Sequence, residues 1–267
     1  MIVHGVKNAK LISLEISRNC SRNKPYVEVG IFKGDHLILQ ALQNPKIPCI
    51  GIDNFSLFDK NSQNFKIIKK KLKLNNINNV KIISLDFEVA VKALPKNIGV
   101  LFIDAAHDYR SQLITLLKYE KFLVQNGTIV VDDANYFHVR KASEDFIDTH
   151  KNYSLSFQKY TTSHVANSNR KDLLLKGYHN GIHIIKKNNS SKLKVKFQKN
   201  KKLLMQLFPQ SHEVFRHYFS FNAHKILDLV YDFKKNKDKE VFLKKILNIK
   251  NKRPLSRQIK YKSQNIF

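Results

Sequence analysis

The chain has 267 residues, a formal net charge of +27 and 42% apolar residues. This length and apolar content suffice for one large domain with an appendage. No apolar run approaches the roughly 18 residues of a membrane-spanning helix, and we expect neither a signal peptide nor a transmembrane segment. Cys20 and Cys49 form no metal-binding spacing and no disulfide framework. We therefore expect a reduced, cytoplasmic protein.

The positive charge is concentrated toward the C-terminus. Residues 186–267 hold 22 Lys and Arg against 5 Asp and Glu. Such a surplus favours association with something anionic, such as nucleic acid, acidic lipid or acidic glycan. The alternative is a general bias in composition, because Lys, Asn and Ile are abundant throughout. Such a bias would also enrich Glu, however, and acids are scarce in this chain. An anionic partner is therefore one of two open interpretations of this region.

Strands and helices are predicted to alternate five times along the first 150 residues. Apolar runs predict strands at PYVEVGI, PCIGID, NVKIISLD, GVLFID and TIVVDD. Helical spacing of apolar residues follows each strand, and Asn126-Gly127 is predicted to end the helix that begins near Tyr109. Residues 151–160 and 180–187 predict two further strands. The alternation predicts an α/β fold with a doubly wound, mostly parallel sheet.

Four consecutive predicted strands end in acids, where ligands bind in open α/β sheets: Asp53, Asp86, Asp104 and Asp132-Asp133. The first strand ends in E-V-G-I-F-K-G, in which Gly30 and Gly34 permit tight turns and close backbone approach, although no GxGxxG fingerprint is present. Asp53, about twenty residues further on, is placed to accept hydrogen bonds from ribose hydroxyls. Each acid taken alone could equally be a helix N-cap.

Five segments, in this order and spacing, resemble class I S-adenosylmethionine-dependent methyltransferases: VEVGIFKG, CIGIDNF, VKIISLDF, VLFIDAAHDY and NGTIVVDDAN. The pattern IDxxH-x-Y followed by NG-x-I-V-x-DD is similar to the group that includes bacterial sugar and macrolide O-methyltransferases. The resemblance implies a seven-stranded sheet of order 3-2-1-4-5-7-6 with the last strand antiparallel. The predicted regions are then an N-terminal helical segment (1–24), the methyltransferase domain (25–187) and a basic helical extension (188–267).

The resemblance also implies how S-adenosylmethionine is bound. Glu28, Gly30 and Gly34 match the motif that holds the methionine end of the cofactor. Asp53 matches the acid that binds the ribose, and Asp86 and Phe87 match the turn that binds the adenine. One departure concerns Phe32-Lys33, which stands where many members have small residues. The detailed shape of this loop is therefore open.

Two groups could prepare an acceptor hydroxyl for methylation. Asp104, Asp132 and Asp133 match the acids that bind a divalent cation in metal-dependent O-methyltransferases of this kind. A cation such as Mg²⁺ held by carboxylates would bind the hydroxyl and lower its pKa. His107, beside the catalytic candidate Asp104, is the alternative, as a general base. The alternative is that neither residue takes part in catalysis: Asp132 would cap the following helix and His107 would be an ordinary loop histidine.

The leading prediction is O-methylation of a hydroxyl on a small molecule, a sugar or a glycan. A nucleic-acid methyltransferase that uses the basic extension is the first rival, although strand four ends in D-A-A-H and lacks the N/D-P-P-Y/F tetrad typical of base amino-group methylation. A non-catalytic binding module on the same fold is the second. The polar segment 161–181 carries His164, Asn167 and Arg170, which could contact a polyhydroxylated substrate.

Overall fold

Seven strands form one sheet in the computed structural model, which describes residues 6–56, 59, 63–160, 177–178, 180–188, 233 and 240–241. The strand order is β3-β2-β1-β4-β5-β7-β6. The first five strands run parallel, and β7 runs antiparallel to both β5 and β6. This confirms the sheet that the resemblance implied. The strands are β1 (Tyr26–Val29), β2 (Cys49–Ile52), β3 (Val80–Ile83), β4 (Ile98–Ile103), β5 (Leu123–Asp132), β6 (Tyr153–Lys159) and β7 (Ile182–Lys187).

Helices cover both faces of the sheet. Because side chains alternate along a strand, the central strands supply apolar residues to two cores, Val29 to one and Tyr26 to the other. The core with Tyr26 also contains residues of α1, α2 and α3, and the core with Val29 contains residues of α4, α5 and α6. The helices are α1 (Val6–Asn19), α2 (Asp35–Gln43), α3 (Asn64–Leu74), α4 (Phe87–Ala90), α5 (Tyr109–Tyr119) and α6 (Phe137–Thr149).

Asn126 and Gly127 lie inside β5, so the prediction that they end a helix is wrong. Helix α5 ends at Tyr119 and passes through a 3₁₀ turn, Glu120–Phe122, directly into the strand. Asn126 has φ +63°, and the pairing of β4 with β5 shifts register near this point. The Asn-Gly pair therefore forms a bulge in a strand rather than a helix terminus, because both structures use the same left-handed backbone conformation.

The carboxyl ends of the parallel strands are aligned by backbone hydrogen bonds. The amide of Asp104, just after β4, donates to the carbonyl of Val29 at 2.9 Å, and the amide of Asp53 donates to the carbonyl of Ile83 at 3.2 Å. The loops that follow β1, β2, β4 and β5 therefore start at one edge of the sheet. This edge gathers the acids that the sequence placed at strand ends.

Beyond residue 188 the structure describes only residues 233 and 240–241. Within the described residues, none of the helices has the length and apolar character required to cross a membrane. The chain divides into two units, residues 1–208 and 209–267. The sheet belongs to the first unit. The predicted basic extension lies outside the described residues, apart from residues 188, 233 and 240–241.

Candidate active site

The loop after β1 passes directly over the backbone at the end of β4. Gly30 has φ +87°, and a Cβ atom there would lie 2.1 Å from the carbonyl oxygen of Asp104. Only glycine permits this approach. Gly34, with φ +72°, is the N-cap of α2. Both glycines thus make the tight turns expected from the sequence, while their contact with a cofactor stays a prediction.

Two large residues occupy the middle of this loop. Phe32 adopts φ +48° and is 43% exposed. The Lys33 ammonium lies 5.0 Å from the centroid of the Phe32 ring. The phenyl ring therefore reaches solvent. The loop accommodates the departure from small residues by turning Phe32 outward.

The carboxylate of Asp53 fixes the same loop from the end of β2. Its Oδ2 accepts hydrogen bonds from the amides of Ile31 at 3.1 Å and Phe32 at 2.9 Å. Its Oδ1 accepts from the amide of Phe55 at 2.7 Å. Hydrogen bonds to a charged acceptor are among the stronger ones in proteins. Asp53 thus organises the turn beside which the ribose is predicted to bind.

Asp86 and Phe87 form the turn after β3. The Asp86 carboxylate caps α4 by accepting from the amide of Glu88 at 2.9 Å, and it also accepts from Nδ2 of Asn54 at 3.1 Å. The Phe87 side chain is 6% exposed and packs in the core, and its carbonyl accepts from the hydroxyl of Tyr119 at 2.8 Å. Both residues thus have a structural role, and their contact with adenine stays a prediction.

Glu28 lies buried in β1, with 1% of its surface exposed. Its Oε2 accepts from the hydroxyl of Tyr26 at 2.7 Å and lies 2.9 Å from Nδ1 of His36. A buried carboxylate requires such donors, since an unpaired charge in the interior is costly. The sequence singled out Glu28 and missed His36, because one histidine on an apolar helix face gives no distinctive signal.

The loops after β4 and β5 bring His107 onto Asp133. Nδ1 of His107 lies 2.8 Å from Oδ2 of Asp133. The His107 side chain is 38% exposed and that of Asp133 is 10% exposed. Potential ligand atoms of Asp104, His107 and Asp133 all lie within 4.8 Å of one another. The sequence predicted a trio of acids here, and the group that assembles contains His107 in place of Asp132.

Asp132 is held separately, by the N-terminal helix. Its Oδ1 accepts from Nδ2 of Asn8 on α1 at 3.0 Å. Asn8 and Asp132 are 1% and 3% exposed. Sequence reasoning missed Asn8, because 124 positions separate the two residues and nothing in the helix sequence marks one polar position. The metal-binding role predicted for Asp132 stays a prediction.

Crowding of negative charge changes the proton affinity of this site. Burial and the neighbouring carboxylates of Asp132 and Asp133 raise the pKa of Asp104 well above its ordinary value. Burial and Asp133 also raise the pKa of Asp132, against hydrogen bonds from the Asp133 amide and Asn8. Burial lowers the pKa of His107, but the charge and hydrogen bond of Asp133 outweigh it and raise that pKa overall. The site therefore favours a bound cation or proton.

A tyrosine follows each member of the pair in the sequence, Tyr109 after His107 and Tyr136 after Asp133. The Tyr136 ring stacks on the imidazole of His107, with centroids 5.8 Å apart and planes at 29°. Tyr109 begins α5, as expected from the sequence, and its hydroxyl donates to Oδ2 of Asp145 at 2.7 Å. Tyr136 thus forms one wall beside His107. The candidate substrate residues His164, Asn167 and Arg170 lie outside the described residues.

Known proteins resemble the part of the chain that contains this site. Residues 27–134 match a family model described as a methyltransferase domain. An uncharacterized protein of Acanthamoeba polyphaga mimivirus is 34% identical over 113 residues, which cover 40% of this chain and 50% of that protein. The chain thus spans about half the length of this curated relative.

Solved structures share the fold at low sequence identity. A provisionally assigned caffeoyl-CoA O-methyltransferase from Staphylococcus aureus is 17% identical, with TM-score 0.52, over 70% of this chain and 85% of its own. The O-methyltransferase TomG from Streptomyces achromogenes, in complex with S-adenosylmethionine, is 15% identical, with TM-score 0.52, over 70% and 82%. A provisionally assigned rRNA methylase from Clostridium thermocellum is 13% identical, with TM-score 0.50, over 72% and 100%. These likenesses show a common fold whose members are named for different acceptors.

Proposed function

We propose that this chain, in which residues 27–134 match a methyltransferase domain, uses S-adenosylmethionine to methylate a hydroxyl group on a small molecule, a sugar or a glycan. The observation that carries the proposal is the hydrogen-bonded pair of His107 and Asp133 beside Asp104. A hydroxyl loses its proton when its oxygen takes up a methyl group. The site therefore needs a base beside the cofactor loops, and His107 supplies one.

The pairing with Asp133 prepares His107 for that task. When Nδ1 donates its proton to the Asp133 carboxylate, Nε2 keeps its lone pair and becomes the basic atom. The raised pKa makes the imidazole a stronger base than a free histidine. The partial exposure of the side chain leaves it accessible to an incoming hydroxyl. Tyr136 stacks on the ring and limits its rotation.

The reaction balances with one proton transfer. S-adenosylmethionine supplies a methyl group on a sulfonium sulfur, so the new carbon–oxygen bond forms as the carbon–sulfur bond breaks. Nε2 of His107 accepts the hydroxyl proton. Asp133 stabilises the resulting imidazolium through the hydrogen bond to Nδ1. The proton then leaves to solvent through the exposed side of the ring.

The cofactor side also fits the proposal. Close packing at Gly30 brings the first loop onto the end of β4, next to Asp104. Asp53 holds the amides of this loop and Asp86 holds the turn after β3. We infer that the loop carries the methionine end, Asp53 the ribose, and the turn at Asp86 and Phe87 the adenine. In open α/β sheets, ligands bind beyond the carboxyl ends of the strands, and an acid about twenty residues after the first turn binds the ribose of nucleotide-like ligands.

A divalent cation fits the same cluster and would add to this chemistry. Asp104 and Asp133 would hold it, since Mg²⁺ is usually bound by one or two carboxylates together with waters. His107 would be a further ligand for a softer metal such as Zn²⁺. The mutual repulsion that raises the pKa of Asp104 favours a bound positive charge. When bound, the cation would polarise the acceptor hydroxyl and lower its pKa.

Transfer of a labelled methyl group tests the proposal directly. We expect S-adenosylmethionine to methylate one or more members of a panel of sugars, glycosides and phenols, with RNA and DNA assayed in parallel. A chelator that abolishes the rate would assign hydroxyl activation to the cation, whereas an unchanged rate would assign it to His107 alone. An intact fold that binds no S-adenosylmethionine in calorimetry would overturn the enzyme and leave the non-catalytic module.

Methylation of nucleic acid in that assay would support the rival function. The carboxylates of Asp104 and Asp133 in the cluster argue against it, because carboxylates repel a phosphodiester backbone. Binding to nucleic acid would also weaken steeply with salt. Absence of binding at low salt would remove the rival.

A further inference from the structure

A row of buried polar side chains runs from β1 through α2 to the N-terminal helix α1. Glu28, His36 and Gln40 are 1%, 5% and 0% exposed. Nδ1 of His36 lies 2.9 Å from Oε2 of Glu28, and Nε2 of His36 lies 3.1 Å from Nε2 of Gln40. The same Gln40 nitrogen donates to the carbonyl of Ala9 on α1 at 3.2 Å. We call Glu28, His36 and Gln40 the Glu28 relay.

The direction of each proton in the Glu28 relay follows from the donors present. The Gln40 amide nitrogen has two protons, and it gives one to the Ala9 carbonyl and one to Nε2 of His36. Nε2 of His36 must therefore be an acceptor. The imidazole proton then lies on Nδ1, from which it is donated to Oε2 of Glu28. The backbone of α1 thus sets the tautomer of His36.

The relay leaves one oxygen of Glu28 available. The hydroxyl of Tyr26 donates to Oε2 as well, at 2.7 Å. In the part of the chain that the structure describes, both donors of Glu28 end on Oε2. Oε1 is therefore the oxygen that remains for a further donor. A carboxylate oxygen held in this way suits an ammonium group.

Glu28 also lies near the meeting point of the two sides of the site. It is two residues from Gly30, whose backbone touches that of Asp104. Its negative charge adds to burial and to the charges of Asp132 and Asp133 in raising the pKa of Asp104. A cationic group bound at Oε1 would therefore also be attracted by the charges of Asp132 and Asp133.

We infer that His36 and Gln40 are positioning residues that orient Glu28 so that Oε1 accepts a hydrogen bond from the α-ammonium group of S-adenosylmethionine. The inference rests on the proposed function, because it requires this cofactor. Neither His36 nor Gln40 contacts the cofactor; each acts through Glu28. The N-terminal helix takes part in cofactor binding through the Ala9 carbonyl at the far end of the relay.

Two ligands separate this role from a merely structural one. S-adenosylhomocysteine carries the α-ammonium group, whereas 5′-methylthioadenosine has the same adenosine and thioether without the amino-acid end. We expect His36→Phe to lower the affinity for S-adenosylhomocysteine about tenfold to a hundredfold, as expected for a hydrogen bond to a charged group. Its affinity for 5′-methylthioadenosine should change by less than about twofold. Isothermal calorimetry measures both.

Two further variants should lower the affinity for S-adenosylhomocysteine by smaller amounts. His36→Asn keeps an N–H donor near the position of Nδ1 and should retain most of the affinity for S-adenosylhomocysteine. Gln40→Met removes the donor that sets the tautomer and should show a smaller selective loss. If His36→Phe does not fold, imidazole ¹⁵N spectra of the wild-type chain give the answer, with the His36 signals identified by their absence in His36→Asn. We expect a protonated Nδ1 and an unprotonated Nε2.

Several results would overturn the inference. An equal loss for both ligands would make His36 a structural residue only, and an unchanged affinity for S-adenosylhomocysteine would remove its role altogether. A proton on Nε2 of wild-type His36 would reverse the relay. A folded wild-type chain that binds neither ligand would overturn the cofactor of the proposed function, and this inference with it.

Discussion

His107 and Asp133 come from loops after two different strands and meet at 2.8 Å between Nδ1 and Oδ2. Asp133 adopts φ +57°, a conformation uncommon outside glycine. Such conformations persist where the surrounding structure holds them, and they cluster at functional sites. Here the backbone turn at Asp133 directs the carboxylate toward the imidazole. The pair is thus built by backbone geometry as well as by side-chain type.

Replacement of His107 tests its role as the base. We expect His107→Gln to lower methyl transfer roughly 10²- to 10⁴-fold, the usual contribution of general base catalysis. The affinity for S-adenosylhomocysteine should be unchanged, because His107 lies on the acceptor side. The matched control is His138→Gln, on the exposed surface of α6. A fully active His107→Gln enzyme would transfer the role to a bound cation.

The pH dependence of turnover tests the pairing with Asp133. Only the neutral imidazole can accept a proton, so the rate should rise with pH through the pKa of His107, which lies above its ordinary value of 6.5. Asp133→Asn removes the negative charge that raises this pKa. The midpoint of the rate profile should therefore move to lower pH in that variant. A midpoint that stays in place would show that another group controls the profile.

Asp53 should matter to cofactor affinity and to the stability of the first loop. Asp53→Asn removes the charge that accepts from the amides of Ile31, Phe32 and Phe55. We expect the affinity for S-adenosylhomocysteine to fall about tenfold or more, and the free energy of unfolding to fall by about 1–3 kcal/mol. Asp145→Asn is the control: it removes the ion pair with Lys141 but keeps an oxygen for the hydroxyl of Tyr109, and it should cost less than about 1 kcal/mol. Calorimetry and urea denaturation give the two quantities.

The two glycines of the first loop should differ in their tolerance of alanine. A Cβ at Gly30 would meet the backbone oxygen of Asp104 at 2.1 Å, whereas one at Gly34 would meet the flexible side chain of Ile68 at 2.8 Å. Both substitutions also carry the strain of a positive φ, about 1–2 kcal/mol. In urea denaturation Gly30→Ala should therefore destabilise the fold more than Gly34→Ala. The reverse order would contradict the close approach of the two loops.

His183 should make the stability of the fold sensitive to acid. It is 1% exposed on β7, and burial together with the charge of Arg140 lowers its pKa to about 4. The unfolded chain, with an ordinary pKa of about 6.5, binds more protons below that pH, so stability is lost as the pH falls from about 6.5 toward about 4. The loss attributable to His183 approaches roughly 3 kcal/mol at the low end. Urea unfolding across this range measures it.

The variant His183→Gln provides the comparison for that titration. Glutamine can keep a polar group near Nε2, which lies 2.6 Å from the hydroxyl of Tyr160, but it does not titrate. The pH dependence of the variant should be shallower than that of the wild type. Equal slopes would assign the acid sensitivity to other groups.

Much of the architecture could be predicted from the sequence, because each strand carries its own local signal. Apolar runs that end in Asp53, Asp86 and Asp104 place strands and strand ends without knowledge of any distant contact. The bulge at Asn126-Gly127 could not be predicted, since the same dipeptide ends helices. Its assignment depends on the neighbouring strand, which local sequence does not record.

The hydrogen-bond partners of Asp132 and Glu28 could not be predicted from the sequence for a related reason. Asn8 and His36 are single polar residues on helices with apolar faces, and their contacts with Asp132 and Glu28 depend on how the helices pack. Periodicity predicts that a helix packs on the sheet, but not which side chain reaches which acid. The exchange of Asp132 for His107 in the assembled cluster follows from the same limitation.

The hydrogen bond between Asn8 and Asp132 makes the acceptor side of the site depend on the N-terminal helix. The two residues lie 124 positions apart in the chain, and Ile12 and Ile16 of the same helix are buried in the core that contains Tyr26. A substitution that displaces this helix would take the Asn8 donor away from the buried carboxylate of Asp132, at a cost of about 1–3 kcal/mol. The geometry beside His107 and Asp133 is therefore sensitive to changes in a helix that precedes every strand of the sheet.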